Sequence, residues 1–170
     1  SALVVSVEDR DVVPFERFAG DPLAGMLFQR AIEQAAFVAG GGRFVAPAQK
    51  LTDFLAGRPS TELLPTTYRP GIASGNLAAL LPPFVSESLR QAVGRFQRTM
   101  PGFVSPQAQL VGVETRTSSP LRIVRGEDLQ SPSLPGLFPV GEGAGYAGGI
   151  VSAAIDGLRS ADAVLSYLRG

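Results

Sequence analysis

Apolar and polar positions alternate between residues 110 and 125, a pattern typical of β-strands. Leu110 to Thr117 and Leu121 to Arg125 both alternate, and Ser118-Ser119-Pro120 between them is expected to form a hairpin turn or a sharp bend. Alternation puts successive side chains on opposite faces of a sheet. The first seven residues, Ser1 to Val7, are mostly apolar and predict a further strand. We therefore expect a small sheet built from the first segment and from residues 110–125.

Apolar residues three and four positions apart predict helices in the first two thirds of the chain. Asp21-Pro22 marks a helix start, since Asp caps helices and Pro suits their first turn, and Gly40 marks its end. A short helix is expected over residues 48–55. Ser74 and Ser86 are expected to cap two more helices, which end near Leu81 and Pro101.

The C-terminal part combines a short apolar run, a glycine-rich stretch and a long helical pattern. Leu137 to Val140 predicts a strand, and Gly148 to Leu168 predicts the last helix. The buried face of this helix is expected to carry its apolar residues: Ile150, Ala154, Leu158, Ala161, Leu165 and Leu168. The predicted fold class is α+β, with a mostly helical portion over residues 1–110. Residues 111–170 hold the strands, the glycine-rich turn and the last helix.

Composition removes several classes of function. Formal net charge is zero, with 15 basic and 15 acidic residues, so no basic surface points to nucleic acid. No apolar run approaches the roughly 20 residues that span a bilayer, and no signal-type N-terminus is present. We expect a cytoplasmic protein. With neither Cys nor His, the chain has no zinc site of the usual kind and no serine-histidine pair, so we expect no metal.

The glycine-rich stretch is the main candidate for a binding site. Five glycines fall within nine positions, and Gly143-Ala-Gly145-Tyr-Ala-Gly148 matches GxGxxG between a predicted strand and a predicted helix. Such a turn presents backbone N–H groups and the positive end of a helix dipole without side chains in the way. Glu142 is suitably located to accept hydrogen bonds from sugar or polyol hydroxyls. The alternative is a tight connection whose glycines serve packing alone, as part of a non-catalytic α+β module.

An N-terminal dinucleotide fold does not explain this stretch. That fold needs a second strand ending in Asp or Glu about 20 residues after the glycines. The chain ends at Gly170, before such a strand fits. The remaining explanation is that the stretch makes a second, C-terminal contact with a nucleotide in a larger fold.

Residues 137–157 resemble the C-terminal FAD motif of flavoproteins with two dinucleotide-binding domains. The segments "SALVVSVE", "DFLAGRPS", "YRPG", "LLPPFV" and "GVETRTSSPLRI" resemble those of the bacterial uncharacterised FAD-dependent dehydrogenases. The resemblance implies FAD as cofactor and a C-terminal fragment of an oxidoreductase that transfers a hydride between an unknown substrate and flavin N5. The fragment alone is expected to be inactive.

The resemblance also implies roles for particular residues. Glu142 takes the place of the acidic residue at the ribityl chain, and residues 1–110 belong mostly to an inserted domain that binds a small-molecule substrate. The partner of the chain is then the missing N-terminal FAD-binding portion. The residues implied in flavin binding are Gly141, Glu142, Gly143, Gly145, Gly148, Gly149 and Ile150.

The polar tip between the two alternating segments is a second candidate. Arg116, Thr117, Ser118 and Ser119 are expected to face flavin or substrate, or else to form a solvated turn. A further set of pocket candidates is better explained as loop structure: Arg58, Ser60, Tyr68 and Arg69. The sequence identifies no catalytic residue and no substrate.

Overall fold

The computed structural model describes residues 2–169, which form six α-helices and one three-stranded sheet. The α+β class is confirmed. The elements in chain order are α1 (Asp9–Val12), α2 (Ala24–Ala39), β1 (Ala46–Lys50), α3 (Leu51–Ala56), β2 (Ile72–Ser74), α4 (Leu77–Leu80), α5 (Pro83–Thr99), β3 (Gln109–Val111) and α6 (Ile150–Arg169), with a 3-10 turn at Val13–Phe15.

The sheet has the order β2-β1-β3, so its central strand is β1. β1 pairs in parallel with β2, with Ala46 opposite Ile72, and antiparallel with β3, with Ala48 opposite Val111. Both neighbours of β1 are three-residue strands. The sheet is therefore small.

The chain divides into two compact units. Unit 1 comprises Ser1–Asp11 and Arg30–Thr115, and unit 2 comprises Val12–Gln29 and Arg116–Gly170. Unit 1 contains the whole sheet, whereas unit 2 contains the glycine-rich stretch and α6. The assignment of residues 1–110 to a substrate-binding insert stays a prediction.

The core of unit 1 is apolar. Its buried members are Leu51, Phe54, Leu77, Leu89 and Val93, and Phe54 and Val93 are fully inaccessible to solvent. α3, α4 and α5 supply these side chains. Because burial of apolar area is the main stabilising term in folding, this cluster holds unit 1 together.

The predicted first strand is wrong, although its alternation is real. Ala2 to Val7 forms no strand, and Ser1 lies outside the described residues. Leu3 and Val5 pack against the core of unit 1, while Val4 and Ser6 are exposed. The segment thus has the side-chain pattern of a strand, but no neighbouring strand gives it the hydrogen bonds that define one.

The two strands predicted over residues 110–125 are mostly absent. Only Gln109–Val111 is a strand, and residues 112–125 are irregular. Alternation depends on side chains alone, whereas a ladder depends on a partner backbone.

Several predicted helix starts lie elsewhere. Residues 46–50 form β1, so the helix expected over 48–55 begins only at Leu51. Asn76 rather than Ser74 caps α4, by accepting a hydrogen bond from the Ala79 N–H at 3.2 Å. Ser86 is not a cap, because α5 begins at Pro83. Asp21 is not the cap of α2 either, because α2 begins at Ala24, and the Asp21 carboxylate instead accepts from the Leu23 N–H at 2.9 Å in the turn that precedes the helix.

The last helix is confirmed, but its predicted buried face is wrong. Every residue expected on that face is exposed: Ile150, Ala154, Leu158, Ala161, Leu165 and Leu168. The buried residues of α6 are Asp156 and Ser160, flanked by the half-buried Ala153, Gly157 and Ala163. α6 therefore packs through its small and polar residues and leaves its apolar stripe in solvent.

The strand predicted over Leu137 to Val140 is absent, because residues 137–140 pair with no strand among the described residues. None of the helices described between residues 2 and 169 has the length and apolar content needed to cross a membrane.

Candidate functional site

The glycine turn, residues 141–149, is a compact backbone structure that ends at the start of α6. The Gly145 N–H donates to the Glu142 carbonyl at 2.9 Å, and the Tyr146 N–H donates to the Gly141 carbonyl at 3.1 Å. Gly141 has φ +74° and Gly145 has φ +83°. These values lie in the left-handed region, where glycine has no Cβ to clash with the backbone.

Gly145 also needs to be glycine because of a close approach. A Cβ on Gly145 would lie 2.5 Å from the Leu121 carbonyl oxygen and 2.9 Å from Arg122 Cα. The Ile123 N–H donates to the Ala144 carbonyl at 3.1 Å in the same contact. This side of the turn is therefore packed against residues 121–123 and is closed to a ligand.

Tyr146 anchors the turn. Its hydroxyl donates to the Ile123 carbonyl at 3.0 Å and accepts from the Arg125 N–H at 3.1 Å. The guanidinium of Arg125 lies 3.7 Å from the centroid of the Tyr146 ring, a cation–π contact. Of the two roles open to Tyr146, stacking on a cofactor ring or anchoring the turn, the contacts favour the anchor.

A buried ion pair joins the turn to α6. Arg125 donates to Asp156 through two nitrogens, at 2.6 and 3.0 Å, and both side chains are about 10% exposed. The Gly141 N–H donates to the same carboxylate at 2.8 Å. The hydrogen bonds from Arg125, followed by the one from Gly141, lower the pKa of Asp156, and the Asp156 carboxylate raises the pKa of Arg125. The pair is therefore charged at neutral pH.

The other side of the turn is open. Apart from its two chain neighbours, a Cβ built on Gly143 or on Gly148 would meet no atom of the described residues within 4 Å. Ser152 caps the Gly149 N–H at 3.1 Å, and Ile150, the first residue of α6, is 91% exposed. The first N–H groups of a helix have no intrahelical partner and carry the positive end of its dipole. This face suits a flat, electron-rich group.

The sequence-predicted site residues are only partly brought together. Glu142 is exposed on the turn. Ser119 lies against the glycine turn, since its hydroxyl is 3.4 Å from the Gly143 carbonyl. The same hydroxyl donates to the Leu121 carbonyl at 2.8 Å. Ser118 contacts Gln29 instead, through its carbonyl at 3.4 Å. Arg116 and Thr117 are exposed.

In unit 1, the pocket candidates form a polar network that supports a loop. Ser60 is buried, and its hydroxyl donates to Asp53 at 2.7 Å and accepts from the Lys50 N–H at 2.8 Å. Arg58 pairs with Asp53 at 2.8 Å, and the Tyr68 hydroxyl donates to the Phe44 carbonyl at 2.9 Å. These contacts support the loop interpretation.

Sequence reasoning missed Arg125 and Asp156. Arg125 was visible only as the end of an alternating segment. Asp156 offers a weak signal, because Asp is a poor helix former in the middle of a helix and is rarely buried without a partner. The partner itself is 31 residues away along the chain and could not be identified from spacing.

A shallow surface depression of unit 2 lies along the C-terminal half of α6. Its lining includes Glu127, Arg159 and Tyr167 but no residue of the glycine turn. It is therefore separate from the candidate site.

Comparison with known proteins identifies the family of the chain and its cofactor. The profile of a family described as "FAD-dependent protein, C-terminal domain-like" matches residues 1–117. The chain is also similar to an uncharacterised protein of Clostridium beijerinckii, with 43% identity over 169 residues. That match covers 97% of this chain but only 30% of the relative's length. The chain thus belongs to the FAD-dependent protein C-terminal domain-like family, whose cofactor is FAD.

Proposed function

We propose that the chain forms the C-terminal part of an FAD-dependent oxidoreductase and that the open side of its glycine turn contacts the flavin. The observation that carries this proposal is the absence of any atom within 4 Å of a Cβ on Gly143 or Gly148, beside the exposed start of α6. FAD, when bound, supplies flavin N5 as the hydride donor or acceptor for an unknown substrate.

The residues of the open side fit this group. Gly148 and Gly149 leave the backbone accessible, and the N–H groups at the start of α6 favour the electron-rich pyrimidine edge of the ring. Glu142 is exposed, so its carboxylate is able to accept hydrogen bonds from the ribityl hydroxyls. The contacts of Gly141 and Gly145 support a different role for these two glycines, in shaping the turn.

The exposed apolar stripe of α6 supports an intramolecular partner. Ile150, Leu158 and Leu168 are 91, 70 and 72% exposed, and they lie on one helix face. A contiguous apolar surface of this kind is typical of an interface. We infer that the FAD-binding portion of the larger protein covers it, in keeping with a relative of which this chain spans 30%.

The proposal includes roles for particular segments and residues. Residues 1–110 are proposed as the inserted domain that binds the small-molecule substrate. Arg116, Thr117, Ser118 and Ser119 are proposed to face flavin or substrate, with Ser119 best supported because it touches Gly143. Dehydrogenase activity and a cytoplasmic location also stay predictions.

The alternative is a turn whose glycines serve packing alone. The close approach of Gly145 to Leu121 and the positive φ of Gly141 favour it at these two positions. It gives no reason for glycine at Gly143 or Gly148, where the space is open and φ is not in the left-handed region.

The visible absorption of the purified full-length protein tests the proposal. We expect a flavin band in the wild type. Gly148→Ala and Glu142→Ala are expected to weaken FAD binding by about tenfold or more, since each removes a close approach or an acceptor. Glu62→Ala, at an exposed residue of unit 1, is the matched control for Glu142→Ala. A protein that stays colourless after FAD is added, or a Gly148→Ala variant with wild-type affinity, would contradict the flavin contact.

A further inference from the structure

The contacts of Arg125 extend to the entry and to the centre of the glycine turn. Its guanidinium donates to the Pro139 carbonyl at 2.8 Å, just before the turn, and lies over the ring of Tyr146 inside it. Its backbone N–H donates to the Tyr146 hydroxyl. One side chain therefore fixes the entry to the turn and its centre.

Asp156 links these contacts to α6. The carboxylate is buried in the second turn of the helix, and it accepts two hydrogen bonds from Arg125 and one from the Gly141 N–H. Gly141 is the residue whose left-handed backbone begins the turn. The direction in which the turn leaves residue 141 is thus tied directly to the helix whose N-terminus follows it.

A buried ion pair adds little stability compared with well-packed apolar side chains, because both charges lose their hydration. Its geometry, however, is specific, since a guanidinium and a carboxylate meet in one plane through two parallel hydrogen bonds. Such a pair suits a role in fixing one backbone conformation.

We propose that Arg125 and Asp156 are positioning residues for FAD, which hold the glycine turn and the N-terminus of α6 in the arrangement that receives the flavin. This inference rests on the proposed flavin contact of the turn. Neither side chain needs to touch the cofactor, because both act through Gly141, Pro139 and Tyr146. Removal of the pair lets the turn adopt other conformations, so FAD binding then has to order it.

The test uses the full-length protein with Asp156→Asn and Arg125→Lys. Asn keeps one acceptor but loses the charge, and Lys keeps the charge but loses the paired geometry. We expect FAD affinity to fall by about tenfold or more in both variants, and the visible circular dichroism of bound flavin to change at saturating FAD. Hydrogen exchange of the Gly141 amide is expected to accelerate.

Asp21→Asn is the matched control. Arg17 and Asp21 form a second bidentate pair in unit 2, with distances of 2.7 and 3.1 Å, and the carboxylate also accepts from two backbone N–H groups. None of these bonds involves the glycine turn. The control is expected to lower the unfolding temperature while FAD affinity and the flavin spectrum of the folded protein stay at wild-type values.

The outcomes separate this proposal from the one on which it rests. Weaker FAD binding by Gly148→Ala together with wild-type affinity and flavin spectrum in Arg125→Lys and Asp156→Asn would overturn the positioning role alone. Wild-type affinity in Gly148→Ala would contradict the flavin contact itself. If Asp156→Asn does not fold, Arg125→Lys and Tyr146→Phe decide the matter, because Phe removes only the hydroxyl that joins Ile123 and Arg125.

Discussion

Unit 1 and unit 2 differ in what their interiors contain. Unit 1 buries a cluster of large apolar side chains around Phe54 and Val93. Both units bury polar side chains, which are Gln49, Asp53, Ser60 and Ser86 in unit 1 and Asp21, Ser131, Asp156 and Ser160 in unit 2. Among the described residues of unit 2, however, the buried apolar side chains, proline aside, are only Ala24, Phe28 and Ala144, while large apolar side chains of α6 are exposed. The core of unit 1 is built from its own residues. Unit 2 depends on directional polar contacts that fix a turn, and it presents its apolar surface outward.

The two kinds of interior suit two different roles, support and the binding of a cofactor. Apolar packing is non-directional and tolerates small shifts, so it suits a supporting unit. A backbone turn that receives a cofactor needs one conformation, and charge-assisted hydrogen bonds with fixed geometry provide it.

Phe54→Ala is expected to have the largest effect on folding. Phe54 is fully buried in the core of unit 1, so its truncation removes apolar contacts and leaves a cavity, at a cost of about 3–5 kcal/mol. Phe44→Ala, at a residue that is 75% exposed, should cost less than about 1.5 kcal/mol. Urea denaturation, monitored by circular dichroism, measures the free energy of unfolding of both variants. Equal losses for the two variants would mean that unit 1 is not organised around its buried cluster.

Gly145→Ala is expected to destabilise unit 2 by about 2–4 kcal/mol, because a methyl group at φ +83° collides with the Leu121 carbonyl. Gly143→Ala is the control at an open position, with a change within about 0.5 kcal/mol. Thermal unfolding compares the pair. A tolerated Gly145→Ala would show that the close approach to residues 121–123 is not maintained in solution.

Acidic pH should lower the stability of unit 2. The pKa values of Asp156 and Asp21 lie below the ordinary value in the folded state, mainly because of hydrogen bonds from Arg125 and from Arg17. A lowered folded-state pKa contributes stability that is fully present above the unfolded value, about 3.9, and is lost as pH falls through the folded-state pKa. Amide protection factors of unit 2, measured at pH 6 and pH 3, should therefore fall, and the fall should be smaller in Asp156→Asn. Protection factors at pH 3 equal to those at pH 6 would mean that the charged pairs do not stabilise unit 2.

Leu158→Gln is expected to have the smallest effect on the folding of the chain, within about 0.5 kcal/mol, because Leu158 is 70% exposed. Light scattering should show less self-association at high concentration, since the variant breaks the apolar stripe of α6. In the full-length protein the same change should lower the unfolding temperature. No effect there would count against the proposal that the FAD-binding portion covers this stripe.

The comparison also explains which sequence predictions succeeded. The helices α2 and α6 follow from the spacing of apolar residues, and the end of α2 follows from Gly40, because these signals are local. The predicted strands failed at Ala2 to Val7 and at residues 112–125, where alternation is present but the described residues form no strand ladder. Helical hydrogen bonds form within one segment, whereas strand hydrogen bonds need a second one.

The candidate site shows the same division. The sequence by itself determined the glycine-rich turn, its position before a helix and, through family resemblance, the FAD cofactor. Only the tertiary structure decided which glycines are packed and which are open, because Gly145 meets Leu121 and Gly148 meets nothing within 4 Å. It also decided that the buried residues of α6 are Asp156 and Ser160 and not those of the apolar stripe. The reason is physical: periodicity identifies which residues share a helix face, but the partners of that face come from distant parts of the chain, and here Arg125 supplies one of them.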